Sequence, residues 1–144
     1  MITTHFRIEP YAGAAPVRFG MTAAQVEIRL GPPKQKSRNY RGETTYDYEL
    51  FNIGFTKEGL VCHIGFVPGA NVEYDGKPMF SRETFEQLVT VDGNPQEVVG
   101  FVVLLSLGIA FTGFHDRDES QKAVSVFPNG AYDLLAKKMA AFRL

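Results

Sequence analysis

The sequence predicts an α+β fold in which two tandem helix-plus-β-hairpin units build one antiparallel sheet with the helices packed on one face. Three observations carry that expectation. The stretch Pro16 to Pro33 is a complete helix unit, period-two strand patterns follow it, and both features recur in order further along the chain. In the helix unit, Thr22 can cap through its hydroxyl, Gln25 three residues on closes a capping box, and Met21 and Val26 occupy the two positions of a hydrophobic staple. Gly31 then supplies a left-handed stop and Pro32 forbids continuation.

Upstream of that helix, His5 to Ile8 reads as a short strand, and the Gly/Ala/Pro-rich segment Tyr11 to Pro16 as a lead-in loop. Downstream, Pro32 to Gly42 carries Lys34, Lys36, Arg38 and Arg41 with few apolar anchors, so it is expected to be an exposed, mobile connection. Thr44 to Glu49 alternates Tyr46 and Tyr48 with polar residues, the signature of a strand with two unlike faces. Phe51 to Thr56, the turn Lys57-Glu58-Gly59 and the run Leu60 to Val67 read as a hairpin. On its return strand, alternation places Cys62, Ile64 and Phe66 on one face and Val61, His63 and Gly65 on the other. Asn71 to Tyr74 adds a short strand before the turn Asp75-Gly76-Lys77-Pro78.

Phe80-Ser81 to Phe85 repeats the layout of Met21 to Val26, Leu88 and Val89 continue its buried stripe, and Asp92-Gly93-Asn94-Pro95 ends it. The apolar run Val98 to Phe111 is shorter than the roughly 20 residues of a membrane span and reads as two buried strands. Leu107 to Phe111 mirrors Phe51 to Phe55, with Gly108 and Asn52 at the place where a left-handed backbone is tolerated. Lys122 to Phe127 matches the strand holding Ile64 and Phe66. These matches share an offset of roughly 56 to 60 residues, as an internal repeat requires. The expected organisation is therefore a single domain over residues 1–144, with repeat 1 at about 16–74, repeat 2 at about 79–128 and an amphipathic C-terminal helix at about 129–143. Tyr132, Leu135, Met139 and Phe142 would form the apolar stripe of that last helix.

Composition narrows the function classes. Fifteen Lys plus Arg against 16 Asp plus Glu leave a net charge of -1, so the long-range pull toward nucleic acid or anionic lipid is missing. Neither nucleic acid nor membrane is an expected partner. Cys62 is the only cysteine, which excludes an internal disulfide and fits a reducing compartment. The first ten residues show no basic region followed by an apolar one, and a cytoplasmic location is the expectation.

Gly20-Met21-Thr22, Val26 and Leu30-Gly31-Pro32-Pro33, followed by strands, resemble the repeat unit of the β-lactamase-inhibitor-protein-like fold, which is shared with the BamE-like (SmpA/OmlA) outer-membrane assembly lipoproteins. The tandem arrangement is more similar to the two-repeat inhibitors than to the single-repeat lipoproteins. The resemblance implies helices on one side of an antiparallel sheet whose other, concave face binds a protein. It also implies differences: the signal peptide and disulfides of the inhibitors and the lipidated cysteine of the lipoproteins have no counterpart here. Their aspartate-bearing inhibitory hairpin corresponds to Lys57-Glu58-Gly59, which makes β-lactamase a poor target.

No catalytic, cofactor or metal signature appears. Cys62 and His63 are adjacent, but strand neighbours point to opposite faces and do not share a proton, so Cys62 reads as a buried structural residue. The segment His115-Asp116-Arg117-Asp118-Glu119 gathers possible metal ligands around a cation with no second histidine nearby, and reads as a solvated loop. No Gly-rich loop runs from strand to helix as a phosphate cradle would. The 12 phenylalanines fall mostly at core spacing. If the large apolar residues face the helices, the opposite sheet face shows Asn52, Gly54, Thr56, His63, Gly65, Ala110, Thr112 and Ser125, mostly small residues, which let another surface approach closely. The function expected is a non-enzymatic protein-binding module, of which an immunity-type inhibitor is one form, without a cofactor and with a target the sequence does not name. Its contact residues would be Tyr40, Arg41, Asn52, His63, Thr112, His115, Asp116 and Arg117. Self-association through the same face into a homodimer is a separate, third reading. The alternative is a small-molecule-binding protein or minor enzyme with a pocket near His63 and His115.

Overall fold

The computed structural model describes residues 4–144. In chain order it contains β1 (His5–Glu9), β2 (Gly13–Ala15), β3 (Val17–Arg18), α1 (Ala23–Leu30), β4 (Gln35–Arg38), β5 (Thr44–Asp47), β6 (Phe51–Phe55), β7 (Val61–Phe66), β8 (Asn71–Tyr74) and β9 (Lys77–Pro78). There follow α2 (Arg82–Asp92), β10 (Gln96–Val98), β11 (Phe101–Leu104), β12 (Ile109–Thr112), β13 (Ala123–Val126) and β14 (Ala140–Ala141), with short 3-10 segments at Glu119–Gln121 and Asp133–Lys138. The class is α+β. The strands form two sheets instead of the one expected.

The larger sheet has nine strands in the order β14-β10-β11-β12-β13-β7-β6-β5-β4. Helix α1 precedes β4 to β7 and α2 precedes β10 to β13, and the two runs meet through their last strands, where Val124 lies opposite Phe66 and Val126 opposite Ile64. The smaller sheet, β3-β2-β1-β8-β9, joins the lead-in to the segment after β7 through a parallel β1–β8 pairing. Its Phe6 is buried against Phe51 and Phe66, with ring centroids 4.7 Å and 5.0 Å away. One continuous core holds Phe6, Ile8, Val17 and Val72 of this sheet, Val26 of α1, Phe85, Leu88 and Val89 of α2, and Ile53, Phe55, Ile64, Phe66, Ile109 and Phe111 of the larger sheet. We call the face carrying those last six residues the core side, and the opposite face the far side.

Local chemistry explains the helix ends. The Thr22 hydroxyl accepts from the Gln25 amide at 3.2 Å while the Gln25 side chain accepts from the Thr22 amide at 2.9 Å, which is the capping box read from the sequence. Gly31 ends α1 at φ 80° and ψ -179°, an extended positive-φ backbone reserved for glycine and not the left-handed helical stop expected. Ser81 caps α2, and Gly93 closes it in the left-handed conformation.

Four further expectations are corrected. The cation-rich connection after Pro32 is a strand: β4 pairs along its length with β5, its polar residues exposed at the sheet edge. Asn52 lies extended in β6, so the left-handed match to Gly108 (φ 68°) holds for the glycine alone. In the β6–β7 ladder Gly54 faces His63 but Phe55 faces Val61, leaving Cys62 as the extra residue of a bulge. The bulge turns Val61 into the core and leaves Cys62 half-buried, the reverse of strict alternation. The C-terminal helix is replaced by the 3-10 segment Asp133–Lys138 and the edge strand β14, which pairs with β10.

Candidate functional site

Ladder partners on the far side form a row across the larger sheet: Val103, Ala110, Ser125, Gly65, Asn52 and Asp47 lie opposite one another in turn. The Val103–Ala110 end of the row is covered. Val98, Val103, Ala110 and Phe127 form a second apolar cluster beneath Tyr11, Tyr132, Leu135 and Met139, so Ala110 is only 1% exposed. The C-terminal segment thus lies across the β10–β12 part of the far side, contrary to the expectation of an open face throughout. Phe142 then continues the β14–β10 ladder, its amide donating to the Pro95 carbonyl at 2.9 Å, and its side chain joins the main core near Phe85.

The uncovered part spans β13, β7, β6, β5 and β4. Its floor is glycine. A Cβ on Gly65 would stand 2.9 Å from Asn52 Oδ1 and 3.1 Å from His63 Cε1, and one on Gly54 would stand 3.1 Å from His63 Cβ. The Asn52 amide and the His63 ring therefore lie down over backbone, which only residues without side chains permit. Burial pushes the His63 pKa below its ordinary 6.5, so the ring is neutral at pH 7 and offers one donor and one acceptor. Thr45, Asp47 and Ser125 complete the polar lining by their register positions.

At the rim, the β4–β5 hairpin ends in a built tip. The Asn39 side chain accepts from the amides of Arg41 (2.9 Å) and Glu43 (3.0 Å), and donates to the Glu43 carboxylate at 2.9 Å. Tyr40 is 91% exposed there, with the Arg41 guanidinium 5.3 Å from its ring centroid and Arg41 Nε donating to its hydroxyl at 3.1 Å. A large aromatic held outward on an organised turn is the residue type and setting that interfaces use.

Of the remaining sequence-named residues, Thr112 is on the far side of β12, on the same face as Ala110, and the other three lie elsewhere. His115 Nε2 sits 3.0 Å from Glu97 Oε2, and its ring meets Phe142 edge-on at 5.6 Å. Glu97 lies opposite Val102, a core residue, which puts this pair on the core side, across the sheet from His63. One pocket cannot be built from both histidines. The buried His115 Nδ1 has no partner among the described residues. Asp116 is exposed and accepts from the Asp118 amide at 3.2 Å. Arg117 shares a cleft with Arg82 and Glu86 of α2, away from the open face. The Thr112 hydroxyl donates to the Gln121 carbonyl at 2.8 Å. Of the eight residues named from the sequence, Tyr40, Arg41, Asn52 and His63 are therefore the set that the β4–β7 half carries.

Burial, with a smaller contribution from Glu43, raises the Cys62 thiol above its ordinary pKa, which disfavours the thiolate a nucleophile needs. No group of three or more His, Cys, Asp or Glu side chains among the described residues is placed to hold a metal ion. No helix among them is long and apolar enough to cross a membrane. Sequence reasoning missed Tyr11 as a cover for the far side and Arg82 as a neighbour of Arg117 in one cleft; each lies far along the chain from what it meets, and no local pattern marks it. Comparison with protein-family models, curated proteins and solved structures finds no match to this chain.

Proposed function

We propose that this chain is a non-enzymatic protein-binding module that takes a protein partner on the uncovered far side of its larger sheet. The single observation behind this reading is the combination there of a glycine floor under Asn52 and His63 with the outward Tyr40–Arg41 tip at the rim. Small residues let a partner's backbone approach, while the aromatic and the guanidinium supply anchors. Consistent with it, the order of helix and four strands occurs twice, with last strands meeting at β7 and β13. We read that order as a duplicated unit with both helices on the core side, similar to the two-repeat inhibitors of the β-lactamase-inhibitor-protein-like fold. On this reading an immunity-type inhibitor, made in the cytoplasm to block a toxin or enzyme, is the form the module takes.

The test is affinity capture from source-cell lysate by wild type and by a variant with Tyr40, Arg41 and His63 replaced by alanine. A protein identified by mass spectrometry should be retained by wild type and reduced at least tenfold by the variant. That protein, purified, should lose its activity when the wild-type chain is added. Equal capture by the two chains contradicts the proposed surface, and undiminished activity contradicts the inhibitor.

A further inference from the structure

Strand β4 is the last of the larger sheet, so one of its edges has no neighbour among the described residues. The ladder fixes which backbone groups stand on that edge. The Asn39 amide donates to the Glu43 carbonyl at 3.0 Å, and opposed pairs in an antiparallel ladder alternate between bonded and non-bonded, so Ser37 and Gln35 bond to Thr45 and Asp47. The bond from the Tyr48 amide to the Phe51 carbonyl, at 2.9 Å, gives the same phase, since it turns Tyr46 and Thr44 toward β6. Lys36 and Arg38 are therefore left with their N–H and C=O groups aimed away from the sheet.

The flanks of this edge differ. Lys36 lies opposite Tyr46 and Arg38 opposite Thr44, which puts both side chains on the core side, where Lys36 Nζ stands 3.7 Å from Glu27 Oε2. Arg38 has no acidic partner within ion-pair distance among the described residues. Glu43, whose carboxylate accepts from the Asn39 side chain, and Asp47, opposite Gln35, fall on the far side by the same alternation. Lys34 shares its surroundings with Asp47 and Glu49, so the cationic stretch is Lys36 to Arg38.

We propose that the free edge of β4 takes an extended strand of the partner protein, carrying carboxylates on the side that meets Lys36 and Arg38 and neutral residues on the side that meets Gln35 and Ser37. Main-chain bonds to Lys36 and Arg38 supply the attachment, and the alternating side chains supply the choice. Charge selects against a second copy. Both outward-bonding residues of β4 are cations, so two β4 strands paired antiparallel would set cation opposite cation, which is destabilising. The proposal rests on the reading of this chain as a protein-binding module and gives the mode of attachment at one border of the same face.

The experiment is a titration of the 15N-labelled protein, at low ionic strength, with a blocked heptapeptide that alternates threonine and glutamate, and with its counterpart carrying lysine for glutamate. The glutamate peptide should give saturable shifts at the amides of Lys36 and Arg38 in the millimolar range and slow their hydrogen exchange, with the lysine peptide at least fivefold weaker. Proline at position 36 deletes an outward N–H and no bond to β5, so Lys36→Pro should bind the glutamate peptide at least fivefold more weakly than Lys36→Gln, which loses the charge alone. In the lysate capture, Lys36→Pro should also retain less of the partner than Lys36→Gln does. Absence of saturable shifts at Lys36 and Arg38, equal binding of the two peptides, or a concentration-dependent dimer of wild type that Lys36→Pro abolishes would each overturn the proposal. A partner lost by the alanine variant of Tyr40, Arg41 and His63 but held in full by Lys36→Pro would overturn the edge and leave the module reading standing.

Discussion

His63 shows how one residue's setting becomes a measurable property of the fold. The ring is kept over Gly65 and beside Gly54, and burial lowers its pKa from 6.5. The unfolded chain therefore takes up the proton first as pH falls. The stability this group confers is fully present above about pH 6.5 and is lost as pH drops toward the lowered native value. In urea unfolding, the midpoint of wild type should fall more steeply below pH 6.5 than that of His63→Asn, the difference isolating this ring from His5 and His115. Parallel midpoints across that range would mean that the ring is solvated. Cys62, its neighbour, shows where residue-level reading stops: the alternation argument that separates the two does not hold at a bulge, and the raised thiol pKa speaks against a nucleophile in its place.

Among the elements, those written in short-range chemistry were legible and those assembled over distance were not. The capping box at Thr22, the turn at Lys57 to Gly59 with Gly59 at φ 84°, and the hairpin strands on either side all follow from residues within a few positions of each other. The parallel β1–β8 pair was missed because its strands are far apart in sequence, and neither carries a pattern that names its neighbour. Strand β4 was missed because Gln35 to Arg38 has no apolar face to alternate. The C-terminal stripe was assigned correctly as apolar and wrongly as helical, since the same spacing serves a 3-10 segment lying on Val103 and Ala110. Its phase is testable. Leu134 is 97% exposed and Leu135 packs on the second cluster, so Leu134→Asp should change stability by less than about 0.5 kcal/mol and Leu135→Asp should cost about 2 kcal/mol. Equal losses in urea unfolding would place the segment in another register.

For the molecule as a whole, the two faces of the larger sheet have different fates, and that asymmetry organises the account. The core side is closed by residues from α1, α2 and the smaller sheet. Among the described residues the far side is closed only where Tyr11, Tyr132, Leu135 and Met139 lie, which leaves the β4–β7 half with its glycine floor uncovered. The sequence marked Tyr40, Arg41, Asn52 and His63 as contact residues because small and aromatic types are visible in the order of the chain. It grouped His115 and Arg117 with them because nothing local says on which side of a sheet a long connection will fall. The central claim, that the uncovered half is where a different protein docks, is tested most directly by site-specific photo-crosslinking in the source cell. A photoreactive residue would replace Thr45 on the far side or Ile28, 84% exposed on α1. The account predicts a discrete adduct with another protein from position 45 and none from position 28. An adduct of two copies of this chain from position 45, or equal labelling from both positions, would contradict it.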